Sequence, residues 1–387
     1  MKSNKCPTYW SAIVLSYSAL LVLGLLDNLR GPYFPDITRD LHLSDEKASW
    51  IFTLASFTGF IGSYFASKML RIFSVIGGMR IGIAFMMVGF FGFSLMNNFV
   101  QLLVATALFG IGLGLIQVVQ HTLIQDSSDE QHRRRLFNGL HSMYGFSALF
   151  APLGAGYFYG LGWPWRKGIY LLGFLPLIPF VQSFFVQSGG QPQQGGQVAE
   201  EVDVHKRDIK RMLYLAVAIS FYVSAELLVS SRLVLYVRRT LKVSPAKSTN
   251  FLTLFFVLLM IGRLMFFVFK FKKISSRAVL ISSLGSSCVI YMLGLSYSPW
   301  LLSCCGLTMA PFFATSMDFV AHQFRKNFSY ALSLTISLSS LVIVCMYFGV
   351  GYLTQVKGIA FAIAIGPMFL MSSLIMILLY RKFFKKA

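Results

Sequence analysis

Apolar residues in this chain come in long unbroken runs, with polar residues confined to short connections. Crossing the hydrocarbon of a bilayer takes about 20 mostly apolar residues in a helix. Twelve runs of that kind can be marked, at about residues 11–29, 48–67, 75–96, 99–124, 136–160, 167–187, 212–236, 249–270, 275–297, 299–323, 328–353 and 358–380. Backbone amides have no water to bond in lipid, so each run is expected to be helical. The period-2 alternation that marks a membrane barrel is absent.

The longest polar stretch runs from Ser188 to Arg211 and is rich in Gly and Gln. Such a composition gives a flexible linker. It separates six runs from six, so the expected organisation is a six-helix bundle at 1–187, a linker at 188–211 and a second six-helix bundle at 212–387. Two similar helical halves joined by a central loop are the plan of a duplicated transporter. The predicted fold class is therefore an all-α membrane protein with twelve transmembrane helices in two six-helix halves.

Composition agrees with a lipid environment. Hydrophobic residues make up 56% of the 387 and charged residues only 12%, about half of what a soluble surface uses. Lys and Arg number 34 against 14 Asp and Glu, a formal charge of +20. These cations lie between the apolar runs rather than on one face of a helix, which argues for topology signals and contacts with anionic lipid headgroups, and against nucleic acid. With the N-terminus inside, the inner segments hold 22 Lys and Arg and the outer ones 9, which predicts both termini in the cytoplasm. The first run carries no small-residue cleavage site and reads as an uncleaved helix. Short loops and termini point to a bacterial inner membrane. The five cysteines form no CxxC pair, so neither a disulfide framework nor a metal site is expected. No cofactor motif or enzyme constellation is present, and no partner chain is expected beyond a monomer.

Ionisable groups inside spans are costly and each needs a reason. The candidates are Asp27, Arg30, Glu226, Arg232, Arg263 and Asp318, with His121, His141 and His322 as groups that titrate near neutrality. Asp27 and Arg30 are three apart and share a helix face; they read either as a substrate-facing pair or as an ion pair at a helix end. Asn28 lies between them. Glu226 sits mid-span, with Tyr222 four residues before it and no basic residue within a helical turn. It reads either as a proton carrier without a fixed cation or as a neutral acid bonded between helices. In the fourth run Gly110, Gly114, Gln117 and His121 share a face, and in the fifth Asn138, His141 and Gly145 do. These polar groups read as cavity lining or as interhelical hydrogen bonds. Asp318 and His322, followed by Arg325 and Lys326, read as a salt-bridge cluster at the inner end of the tenth run.

With twelve runs, a central loop and both ends inside, the chain resembles the major facilitator superfamily. Gly145 to Pro152, Gly154 and Gly156 are similar to that family's Gly/Pro-rich fifth-helix motif, and Gly262-Arg263 resembles the start of its second-half loop motif. The first-half loop motif departs from the family pattern: Ala66 and Ser67 stand where an acid and an Arg are usual. Asp27-Asn28 with Arg30-Gly31, Asn138-Gly139-Leu140-His141, and Tyr222 with Glu226 resemble the fucose/glucose–proton symporter branch. That resemblance implies proton coupling through Asp27 and places the branch's fourth-helix acid at Gln117, which cannot titrate.

The expected function is secondary active transport of a small polar solute, a sugar or an organic anion, by proton-coupled alternating access. Asp27, Asn28, Arg30, Gln117, His121, Asn138, His141 and Tyr222 would contact substrate, and Glu226 and Asp27 would carry protons. The alternatives are a proton-driven exporter of amphipathic compounds and, from another class, a non-transporting membrane receptor or enzyme.

Overall fold

The computed structural model describes residues 9–128, 130–186, 206–268, 275–324 and 328–384, and the described secondary structure is helical. Thirteen helices follow one another: α1 (Trp10–Asp40), α2 (Asp45–Leu95), α3 (Phe99–Ser127), α4 (Glu130–Gly160), α5 (Trp165–Leu172), α6 (Leu177–Gln182), α7 (Lys206–Leu241), α8 (Pro245–Val268), α9 (Ser276–Ser296), α10 (Pro299–Gln323), α11 (Phe328–Lys357), α12 (Ile359–Ile363) and α13 (Gly366–Phe384). Among the described residues they group into twelve segments, the number expected for the fold class. α2 supplies two, while α5 with α6, and α12 with α13, supply one each. Among the described residues nine segments are long and apolar enough to cross a bilayer by themselves.

The breaks have local causes. α2 bends at Ser74, whose φ of 64° and ψ of 168° are not helical. The Ser74 side chain then accepts from Gly77 N at 3.2 Å, capping the second limb as a helix start requires. Pro176 and Pro179 lack the amides that would carry α5 smoothly into α6. Asn98 caps α3 through Gln101 N, and Ser275 caps α9 through Ala278 N.

α1 is longer than its apolar run. The run ends at 29, but the helix continues through Pro32 and Pro35 to Asp40. Proline is tolerated in spanning helices where packing and neighbouring groups satisfy the freed carbonyls.

The chain packs as two compact units. One comprises Met1–Arg30 and Trp50–Glu200; the other comprises Gly31–Ser49 and Glu201–Ala387. In the first, α3 carries a spine of glycines wedged between the two limbs of α2. A methyl group at Gly112 would come within 2.7 Å of Gly82 O, and one at Gly114 within 2.8 Å of Ser63 N. Only glycine permits approaches this close. In the second unit Gly31 brings α1 against α7, where an added methyl would lie 2.9 Å from Ser230 O.

Candidate functional site

Within the first unit, one turn of α1 presents Asp27 and Arg30 side by side. Arg30 Nη2 pairs with Asp27 Oδ1. Its Nε donates to Asp27 O at 3.2 Å and its Nη1 to Ile51 O at 2.8 Å. Phe52 and Phe109 lie against the guanidinium with centroids 5.2 and 5.1 Å away. The other carboxylate oxygen of Asp27 accepts from the Tyr144 hydroxyl of α4 at 2.8 Å. The pair is thus enclosed, with Arg30 9% and Asp27 17% exposed. Asn28 turns back onto its own helix, donating to Gly24 O at 2.8 Å.

Tyr144 was not among the residues expected from sequence. A signal existed, since it lies three residues beyond His141 and on the same face of α4. The side chains of Asn138 and His141 lie outside the described set. On α3, Gln117 is exposed, and His121 Nδ1 lies 2.5 Å from the Gln117 carbonyl one turn earlier.

The second unit holds a comparable cluster. Tyr222 and Glu226 are four apart on α7, and the Tyr222 hydroxyl lies 2.7 Å from Glu226 Oε2. The same hydroxyl is 2.7 Å from Met309 O of α10, and the Tyr222 ring stacks on Phe312 at 4.0 Å. The expectation that Glu226 lacks a fixed cation is not met. Arg263 of α8 reaches its Oε1 at 3.3 Å. Thirty-seven residues separate the two, so spacing along one helix could not reveal the contact.

A further ionic group joins the end of α1 to α7. Asp36 accepts from Arg238 at 2.8 Å and pairs with Arg39 at 3.1 Å, its own side chain 4% exposed. Arg239 grips both oxygens of Asp45, at 2.6 and 2.7 Å. Arg232, fully buried, donates to Ser49 Oγ at 2.8 Å and lies over Phe34. The apolar run that predicts the first helix ends at residue 29, so Asp36 falls outside it, whereas α1 continues to Asp40. The side chains of Asp318 and His322, and all of Arg325 and Lys326, lie outside the described residues.

Comparison places these clusters in a known fold. A D-xylose–proton symporter has a similar structure (TM-score 0.76, 12% identity, 97% of each chain covered). So do a bacterial homologue of the human lysosomal transporter Spinster (0.74, 12%, 98% of each) and the E. coli fucose:proton symporter FucP (0.65, 14%, 95% of this chain and 98% of that one). No curated protein matches the chain by sequence. The sequence matches the Major Facilitator Superfamily over residues 17–329. Twelve segments in two sets of six, the likeness to these structures and the extent of that match agree: the chain is a multi-pass membrane transporter that belongs to the Major Facilitator Superfamily.

Proposed function

We propose that the protein is a secondary active transporter that moves a small polar solute by proton-coupled alternating access, with both termini cytoplasmic. The observation that supports this most is that each unit keeps a carboxylate inside a spanning helix with an arginine and a tyrosine against it: Asp27 with Arg30 and Tyr144, and Glu226 with Arg263 and Tyr222. Charged groups within the hydrocarbon span persist where a polar or ionic species is handled. The sugar–proton symport named for two of the structurally similar proteins supports the same reading.

Glu226 is the proton carrier in this proposal. The Tyr222 phenol has one hydrogen and two acceptors, each 2.7 Å away. With Glu226 ionised, Tyr222 donates to it. With Glu226 protonated, the carboxyl donates to the Tyr222 oxygen, and Tyr222 turns its hydrogen to Met309 O. Both protonation states are hydrogen-bonded without movement of heavy atoms, as a buried polar group requires. Asp27 is held differently: its oxygens take an N–H from Arg30 and the O–H of Tyr144. Exposed Gln117 is the first-unit residue assigned to solute contact.

Reconstitution into liposomes with an imposed pH gradient tests this. Radiolabelled sugars and carboxylates are offered, and at least one should accumulate beyond equilibrium and be released by a protonophore. Equilibration without gradient-driven accumulation would remove the proton-coupled reading.

A further inference from the structure

The two arginines inside these clusters do different things. Arg30 has Nε, Nη1 and Nη2 all committed to protein oxygens, and its guanidinium lies against two phenyl rings. Arg263 is the opposite. Its side chain is 35% exposed, and among the described residues it makes one hydrogen bond, at 3.3 Å, to Glu226. A guanidinium carries five N–H donors in a planar fork. Cations on spanning helices almost always face the bundle interior or a water-filled cavity rather than acyl tails, so the exposed part of Arg263 is read as ligand-facing. The Glu226 contact is also long for a charge-assisted bond, which closes to about 2.7–2.9 Å when well made. Among the described residues Arg263 therefore offers an open fork, and a carboxylate, the group that Glu226 already brings to it, fits that geometry.

Resting on the transport reading above, we propose that Arg263 is the recognition residue for a monocarboxylate substrate, whose binding displaces Glu226 and makes it take up one proton. Among the described residues, the charged and titratable groups against Glu226 are Arg263 from α8 and Tyr222 of its own helix; α10 contributes the Met309 carbonyl. Once the substrate carboxylate occupies the Arg263 fork, Glu226 has lost its counter-charge. It binds a proton from the water that reaches the site, donates to Tyr222, and Tyr222 turns its hydrogen to Met309 O. One negative charge and one proton enter together. The loaded site then carries the same net charge as the empty one, so substrate and proton travel as an electroneutral pair. Arg30, being enclosed, takes no part in substrate contact.

The experiment is calorimetric titration of the purified protein in detergent, with no gradient imposed, in two buffers of different ionisation enthalpy. The probes are L-lactate and D-glucuronate, each beside a neutral counterpart, 1,2-propanediol and D-glucose. At least one carboxylate should bind where its counterpart does not, with about one proton taken up per carboxylate near pH 7, as exchange of one charged partner for another requires. Arg263→Gln should weaken that binding by about tenfold or more, and Arg263→Lys should only partly restore it, because the fork is lost. Glu226→Gln removes the competitor for Arg263, so it should bind the carboxylate at least as tightly and take up no proton. This variant keeps the test decisive if Arg263→Gln folds poorly. The proposal is overturned if neither carboxylate binds, if Arg263→Gln binds unchanged, or if wild type and Glu226→Gln take up the same number of protons. Carboxylate binding through Arg263 without gradient-driven accumulation would instead sink the transport reading and leave this site standing.

Discussion

Arg238 of α7 donates to Asp36 of α1 over 2.8 Å, and both side chains are largely enclosed, at 11% and 4% exposure. Three residues of sequence beyond Asp36, Arg39 pairs with its other oxygen. Arg239 and Asp45 form a second pair nearby in sequence, in which Asp45 is 14% but Arg239 40% exposed, so it is screened more than the first. Burial separates the expected effects. Removing one member of an enclosed pair strands the other and costs about 3–5 kcal/mol, whereas a solvent-screened pair contributes roughly 0–1 kcal/mol. Asp36→Asn should therefore lower the melting temperature in detergent more than Asp45→Asn. Equal shifts would show that the two pairs are equally screened.

Asp27→Asn leaves Arg30 enclosed without its counter-charge, and Tyr144→Phe removes one donor from an ionised oxygen. The first should be the more damaging, in line with about 3–5 kcal/mol for a stranded charge against about 1.5–3 kcal/mol for a hydrogen bond to a charged group. Asp27→Asn should also depress both gradient-driven accumulation and counterflow exchange. A variant that melts at the wild-type temperature would mean that Arg30 has found another anion.

Glu226→Gln should abolish accumulation driven by a proton gradient and leave counterflow exchange intact, since exchange needs no net proton movement. The measurement is a comparison of the two assays on one proteoliposome preparation. Continued concentration of solute against its gradient would take the carrier role away from Glu226.

The asymmetry of basic residues predicts which side each connection faces. In a background without the five native cysteines, a membrane-impermeant thiol reagent added to intact cells should label Ser244→Cys and spare Gln193→Cys in the linker. The reverse pattern would invert the topology.

Most of the fold was legible because lipid imposes a single rule. A run long enough to cross must be helix, so hydropathy located the crossing segments and left a gap where α2 bends at Ser74. What escaped were features that rule does not address. The continuation of α1 to Asp40 runs through two prolines, which from sequence mark a helix end. Asp27 with Arg30 and Tyr222 with Glu226 were visible because helical spacing of three or four residues places side chains together. Tyr144, 117 residues from Asp27, and Arg263, 37 from Glu226, come from other helices. No spacing along one element announces such partners. Arg263 was recognised as a charge within a span, but its openness depends on packing alone.

The glycines of α3 have a mechanical consequence. Backbone at Gly112 meets the second limb of α2, and backbone at Gly114 meets the first. With so little side chain between them, the helices mesh like closely cut gear teeth, and sliding one past another would drive Cα hydrogens into carbonyls. Shear between α2 and α3 is blocked on both flanks. Any rearrangement inside this unit is therefore left to rotation of the block as a rigid piece, or to flexing at its margins: at the Ser74 bend, along α4, or where α1 carries Asp27.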